Sequence, residues 1–390
     1  MKILFFIRSL DVGGSQSQLA LLARGLAQRG HDVAVAVLYC GQVMEGALES
    51  AGVRIMPLNK SRRWDIAGPL VRLWQLFLSE RPNVLYAFLP TQTTLAALLL
   101  PPWLPTRLIF GIRSGRMQLD RYDTLSALSY RLEAWLSWRA DLIIVNGRAV
   151  HNDAVARGLP AGRIVVVPNG IDTDAMTPDA AAGRELRHRW GIGEKEFVIG
   201  MVARLDPMKD HANLLSAAAV LKQQHPDSRF VCVGDGPVAY RRELEALARS
   251  LGLGGHILWV GEVGASRAIY NAFDIATLSS AFGEGFPNAV GEAMACGVPV
   301  VATNVGDVAL ILGNCGEVVP PRQPDGLSAA WARMRERLRQ DGENLRTAVR
   351  ARIVQRYGVD TMVDRSEHVL SELCAGRAPT AIAEHHTSLP

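Results

Sequence analysis

Arg204 and Lys209, five positions apart, and the carboxylates Glu284 and Glu292, with seven residues between them, are the side chains in this sequence best suited to chemistry on a phosphorylated ligand. Arg204 follows an apolar run of strand length, and Lys209 stands in the polar turn after it. A planar guanidinium and a compact ammonium so placed reach one diphosphate together, the first as a fork and the second as a point charge. Taken singly, each also reads as a solvated loop cation.

The carboxylates belong to the richest segment, residues 282–297. Pro287 suits the first turn of a helix there and Gly297 its end. The amides of Asn288, Ala289 and Val290 would then be open to a phosphate at the positive end of that helix. Glu284 lies in the loop ahead, beside Gly285 and Phe286, where a carboxylate can hold a sugar. Glu292 falls about one and a half turns inside the helix, where it can accept both hydroxyls of a ribose. A solvated helical glutamate is the plain alternative, but small apolar neighbours argue against full exposure. Gly13-Gly14 opens the first helix and lets a ligand approach the backbone closely. Gly234-Asp235-Gly236-Pro237 ends a later strand in a tight turn.

Short apolar runs alternating with longer amphipathic stretches must position these groups. Strands are expected over residues 3–7, 32–38, 53–57, 84–88, 107–111, 141–145 and 163–167, with helices at 15–28 and 43–51 among them. Residues 168–172 form a turn-rich break, and the polar stretch to about residue 196 reads as a linker. A second strand series follows near 197–203, 229–234, 257–260, 275–279 and 299–303. Strand-helix repetition of this kind implies parallel sheets covered on both faces. Ligands bind beyond the carboxyl ends of such strands, so a cleft between two facing domains is the expected site. Expected boundaries are 1–172 and 173–358, with a C-terminal helix over 359–374 packing back toward the first domain and a disordered tail over 375–390.

A chain of 390 residues exceeds what one core usually supports. With 48% hydrophobic and 21% charged residues it is ordinarily globular, and a net charge of +4 spread along the chain does not favour a nucleic-acid partner. Five cysteines without a CxxC pair suggest neither a disulfide framework nor a zinc site, and fit a reducing cytoplasm. The apolar N-terminus stops at Arg8 without a cleavage site and reads as a buried strand; the run at 95–104 holds Pro101 and Pro102 and is too short to span a bilayer. Arg107, Arg113, Arg116, Arg121, Arg131 and Arg139 surround an apolar stretch that either solvates a helix or meets an anionic membrane. Tyr122, Leu125, Leu128, Tyr130, Leu132, Trp135, Leu136 and Trp138 read equally as a core helix or a lipid-facing one.

In order along the chain, Gly13-Gly14, Val167 through Asp172, Arg204 through Lys209, Gly234 through Pro237, the Glu284–Glu292 pair and Pro299 through Thr303 resemble glycosyltransferase family 4 over nearly the whole length. Each motif is weak and all six in order are specific. The resemblance implies the GT-B fold, two Rossmann-like domains facing a cleft, and transfer of a hexose-type sugar from a nucleotide-diphosphate sugar. The acceptor would be a glycan or lipid-linked molecule in bacterial envelope or exopolysaccharide synthesis. It implies retention of anomeric configuration and no metal or other cofactor. Arg204 and Lys209 would stabilise the departing nucleotide, aided by the Gly14 backbone and the residue 288–290 amides; Glu292 would hold the ribose and Glu284 the sugar.

Many members carry a histidine after the fourth strand, whereas this chain reads Leu85-Tyr86-Ala87-Phe88-Leu89-Pro90-Thr91. Backbone groups or Thr91 would then take that role. Asp172-Thr173-Asp174 resembles a metal-binding Asp-x-Asp, but its place in the break favours a turn or capping role. Two alternatives use the same scaffold: a nucleotide-sugar epimerase and a non-catalytic nucleotide-sugar binder.

Overall fold

The structure, a computed structural model, describes residues 1–62, 65–115, 124–264 and 266–386. It divides into two units, residues 1–170 with 359–390, and residues 171–358.

Unit 1 is built on seven parallel strands: β1 (Lys2–Ile7), β2 (Asp32–Val37), β3 (Arg54–Pro57), β4 (Val84–Phe88), β5 (Arg107–Ile112), β6 (Leu142–Val145) and β7 (Ile164–Val166), in the order β3-β2-β1-β4-β5-β6-β7. Every residue of β4 and β6 is buried, as expected of strands covered on both faces. Its helices are α1 (Gly14–Gln28), α2 (Glu45–Ser50), α3 (Ala67–Glu80), α4 (Pro90–Leu99), α5 (Thr124–Leu136) and α6 (Arg148–Ala156).

Unit 2 repeats the plan with β8 (Phe197–Val202), β9 (Ser228–Val233), β10 (Ile257–Gly261), β11 (Ile275–Leu278), β12 (Val300–Thr303) and β13 (Glu317–Val319), in the order β10-β9-β8-β11-β12-β13 and all parallel. Its helices are α7 (Ala180–Arg189), α8 (His211–Gln224), α9 (Val238–Ser250), α10 (Arg267–Asn271), α11 (Asn288–Ala295), α12 (Val308–Leu312) and the long α13 (Pro324–Tyr357), which breaks at Asp341. In both sheets the strand order reverses beside the first strand, between β1 and β4 and between β8 and β11. Ligands of doubly wound sheets bind at the carboxyl ends of the strands at such switch points.

Two expectations are corrected, and one strand is added. The stretch read as a linker to residue 196 carries α7, capped by Asp179 accepting from the Ala182 amide at 3.0 Å and tied down by Arg187 to the Ala272 carbonyl and Asp274. Polar side chains hide this helix from a periodicity reading, because hydrogen bonds as well as apolar burial hold it. The short strand β13 carried no expectation. The tail from 375 is also not without order: α15 (Pro379–His386) buries Ile382 and Ala383 in the unit 1 core. Just before it, α14 (Val359–Cys374) lays Met362, Val363, Val369, Leu370 and Leu373 into that same core against α1. The contact is close: a Cβ on Gly25 would stand 2.5 Å from Val363 Cγ2. Among the described residues, no helix is long and apolar enough to cross a membrane.

Candidate functional site

At the unit 2 switch point, the chain leaves β8 into residues 203–210 and leaves β11 into residues 279–287. The first loop takes its shape from glycines of the next turn. Gly234, at φ 130°, lies so close to the 203–204 backbone that a Cβ there would stand 2.1 Å from the Ala203 carbonyl oxygen. A Cβ on Gly236 would meet the Leu205 carbonyl oxygen at 2.2 Å, and the Leu205 amide donates to the Asp235 carbonyl at 2.9 Å. These two glycines therefore clamp the turn that presents Arg204. Asp206 then accepts from the Met208 amide at 2.8 Å and starts a 3-10 turn, Pro207–Lys209, that aims Lys209.

The Lys209 ammonium donates to Glu284 Oε1 at 2.5 Å, with both side chains largely withdrawn from solvent. Ser280 Oγ donates to the same oxygen at 2.5 Å. Ser279 Oγ donates to the carbonyls of Lys209 and Asp210, both at 2.9 Å, and Thr303 Oγ1 to the Ser280 carbonyl at 2.6 Å. The ends of β11 and β12 thus brace the pair. Gly306, at φ 65°, lets its backbone approach the Glu284 and Gly285 carbonyls, to which an added Cβ would stand 2.7 and 2.6 Å. Arg204, in contrast, is 71% exposed, with its guanidinium 3.7 Å from Asp206 Oδ2. The structure therefore brings Lys209 to Glu284 and leaves Arg204 reaching into solvent from the same loop.

Helix α11 begins at Asn288 behind Pro287, and no side chain caps it. Here one expectation is corrected: the Val290 amide donates to the Pro287 carbonyl at 3.1 Å, so it is not open to a ligand. The first turn closes on itself, as helix starts often do. Glu292 is half-buried on that helix and accepts from the Tyr270 hydroxyl through Oε2. Burial pushes its carboxyl above the ordinary range while the Tyr270 hydrogen bond opposes the shift. Phe286 is buried edge-on against Tyr357, with ring centroids 5.2 Å apart. A cavity of about 730 Å³ in this unit, bordered by Asp274, Val298, Arg346 and Arg350, lies at the amino ends of β11 and β12, the opposite edge from Lys209 and Glu284.

In unit 1, α1 starts at Gly14 with no side-chain cap, and the Gly13 backbone is extended at φ 177°. Gly13 is therefore not in a left-handed turn, and a Cβ there would stand 2.5 Å from Gln16 Oε1. Beside it at that switch point, β4 ends at Phe88 where the histidine of the family pattern is missing. The Arg113 guanidinium, just past β5, stacks 4.4 Å from the centre of the Phe88 ring and donates to the Tyr86 hydroxyl at 2.8 Å. Sequence reasoning placed Arg113 only in a basic cluster; its position directly after a strand, like that of Arg204, was the available signal. Thr91 is exposed. Within the basic cluster, Arg107 pairs with Asp141 at 3.0 Å and Arg139 donates to the Leu100 carbonyl; Arg116 and Arg121 lie outside the described residues. Tyr122 and the Leu125 side chain do too, while α5 buries Leu136 and exposes Leu128 and Trp135, and the 3-10 turn after it (Ser137–Arg139) exposes Trp138. Asp172 spends a carboxylate oxygen on the Ala175 amide at 2.9 Å, a turn role.

Two Rossmann-like parallel sheets in one chain, each with its functional loops at a switch point, define the GT-B fold of glycosyltransferases. The model of glycosyl transferases group 1 matches residues 183–350 and that of glycosyltransferase family 4 matches residues 12–175. The chain belongs to this family of group 1, family 4-like glycosyltransferases.

Among curated relatives, it is 30% identical over 201 residues to the GDP-mannose-dependent alpha-(1-6)-phosphatidylinositol monomannoside mannosyltransferase of Mycolicibacterium smegmatis, covering 49% of this chain and 52% of that protein. It is 32% identical over 266 residues to the D-inositol 3-phosphate glycosyltransferase of Salinispora tropica, covering 64% of this chain and 53% of that protein. The matches thus span about half the length of these relatives. Among solved structures, Anabaena Alr3699/HepE in complex with UDP-glucose superposes with a TM-score of 0.84 at 23% identity, over 95% of this chain and all of that one. At that identity the likeness concerns the fold.

Proposed function

We propose that the protein is a retaining glycosyltransferase moving a hexose-type sugar from a nucleotide-diphosphate sugar to a glycan or lipid-linked acceptor. The observation carrying this reading is the Lys209–Glu284 pair at the carboxyl ends of β8 and β11, directly ahead of the uncapped α11. Breaking a glycosyl-phosphate bond builds charge on the leaving phosphate, and preorganised cations and amides stabilise that charge without reorganising. Lys209, Arg204 and the first amides of α11, those of Asn288 and Ala289, supply such groups. Glu284 holds the hydroxyls of the transferred sugar, and Glu292, steadied by Tyr270, keeps Oε1 for the ribose. Gly13 and Gly14 give the donor backbone access, and Gly234 keeps the Arg204 turn in place.

Because cationic side chains meet the diphosphate, the reaction proceeds without a metal or other cofactor. Work on the cytoplasmic face of a bacterial inner membrane, in envelope or exopolysaccharide assembly, fits the relation to the mannosyltransferase and the D-inositol 3-phosphate glycosyltransferase, and the exposed Trp135 and Trp138 at the end of α5. A thermal-shift screen of uridine, guanosine and adenosine diphosphate sugars identifies the donor, and NMR of that donor with a lipid-phosphate or glycan acceptor in excess EDTA then reads the product. The proposal expects a new glycosidic linkage of unchanged anomeric configuration. An epimer forming without acceptor, an inverted product, or a reaction halted by EDTA would count against it.

A further inference from the structure

The C-terminal helices of unit 1 bring together four side chains that the transfer chemistry does not use. His368 and Glu372 stand one helical turn apart on α14, and His385 and His386 close α15. One ligand atom from each lies within 4.8 Å of the others. His386 Nε2 is 3.0 Å from Glu372 Oε2, His368 Nε2 is 3.6 Å from Oε1 and His385 Nδ1 is 4.0 Å from Oε1. The three imidazole rings face one another with centroids 4.7 to 6.1 Å apart.

We propose that these residues form a binding site for a divalent transition metal, zinc above all, which fastens α15 to α14. Three imidazole nitrogens and one carboxylate oxygen are a borderline ligand set that suits Zn²⁺, Co²⁺ or Ni²⁺ and not Mg²⁺ or Ca²⁺. With metal–ligand distances of about 2.0–2.2 Å, a tetrahedral ion needs its ligand atoms roughly 3.3–3.6 Å apart. His386 Nε2 stands 3.0 Å from Oε2, close to that range, while the separations of His368 and His385 are to Oε1; both of these rings, more than half exposed, are placed to close on Oε2 by side-chain rotation.

The surroundings fit a metal as well. Arg377 donates to Glu372 Oε1, which leaves Oε2 as the ligand oxygen and supplies the outer hydrogen bond that ligating carboxylates commonly have. Ile382 and Ala383, one turn before His385 and His386, anchor α15 to the core, so the site is held by packing before an ion arrives. The same cluster without an ion would be a plain charge network in which one carboxylate serves three imidazoles and a guanidinium. The two differ in stoichiometric metal binding.

The test titrates the full chain, freed of metals by chelation and dialysis, with Co²⁺ and then Zn²⁺. The proposal expects about one equivalent of Co²⁺ giving the intense visible bands of a four-coordinate site, their loss when Zn²⁺ displaces it, and slower amide exchange over residues 379–386 on zinc binding. His368→Asn and His385→Asn, both at exposed positions, should each weaken Zn²⁺ binding by about tenfold or more while leaving the circular dichroism unchanged. Uptake well below one equivalent, a pale octahedral Co²⁺ spectrum, or unaltered affinity in both variants would overturn it. None of these readouts depends on sugar transfer.

Discussion

Lys209 and Glu284 share a short, largely buried hydrogen bond, and each would meet a different part of a nucleotide sugar. Replacing Glu284 by Gln keeps the shape and removes the charge that draws Lys209 and the sugar hydroxyls. Loss of one charge-assisted hydrogen bond is worth about 1.5–3 kcal/mol, so turnover should fall roughly ten- to hundredfold in steady-state assays; an unchanged kcat would argue against sugar contact. A second prediction concerns His211, fully buried at the start of α8 with no hydrogen-bond partner for either ring nitrogen among the described residues. Burial, with Lys209 adding repulsion, pushes its pKa down to about 4, against an ordinary value near 6.5. Between these values the unfolded chain binds the extra proton, so stability is full above about pH 6.5 and falls toward pH 4, by about 1.4 kcal/mol per unit at the steepest. Urea unfolding at pH 7, 5.5 and 4.5 should show this slope in the native chain and a flatter one in His211→Leu.

The elements make the site precise through backbone contact more than through side chains. Gly234→Ala places a Cβ against the Ala203 carbonyl in a left-handed conformation. A cost of about 1–3 kcal/mol should appear in chemical unfolding, accompanied by a raised KM for the donor as the Arg204 turn shifts; a variant equal to the native chain in both would refute the clamp. Helix α5 and the turn that follows it leave Leu128, Trp135 and Trp138 more than half exposed. Such a face suits the lipid interface, so the chain should float with anionic vesicles and Trp135→Ser with Trp138→Ser should lose that binding; no flotation of the native chain would exclude membrane contact through α5.

The strands were legible because parallel strands covered on both faces read as unbroken apolar runs, from Leu4-Phe5-Phe6 to Val300-Val301. The helices α7 and α15 were not legible, since the pairs Asp179–Arg267, Arg187–Asp274 and His386–Glu372 stabilise them through partners distant in sequence. For the same reason the sequence named Lys209 and Glu284 without joining them: 75 positions separate them, and only the order β8-β11 makes them neighbours. Ser279, Ser280 and Tyr270, which brace the carboxylates, carry no motif of their own, and Thr303 closes a motif that gives no hint of its hydrogen bond to the Ser280 carbonyl.

At the scale of the molecule, the chain leaves unit 1 after Gly170 and returns at Val359 to complete its core. Gln18 fixes the departure point, its side-chain amide bonded to both the carbonyl and the amide of Gly170 at 2.8 and 2.9 Å. On return, Arg29 of α1 pairs with Asp364 and Glu367 of α14. Leu370 is fully buried, so Leu370→Ala should cost about 2–5 kcal/mol, visible as a lowered calorimetric transition of the unit holding α1 and α14; an unshifted transition would mean that α14 is dispensable. Cations meeting a diphosphate are the centre of the proposed chemistry. Turnover of a nucleotide sugar by Arg204→Ala and Lys209→Ala, each checked for native circular dichroism, tests this most directly. Each should fall by about 10²–10³-fold, and near-native rates in both would contradict it.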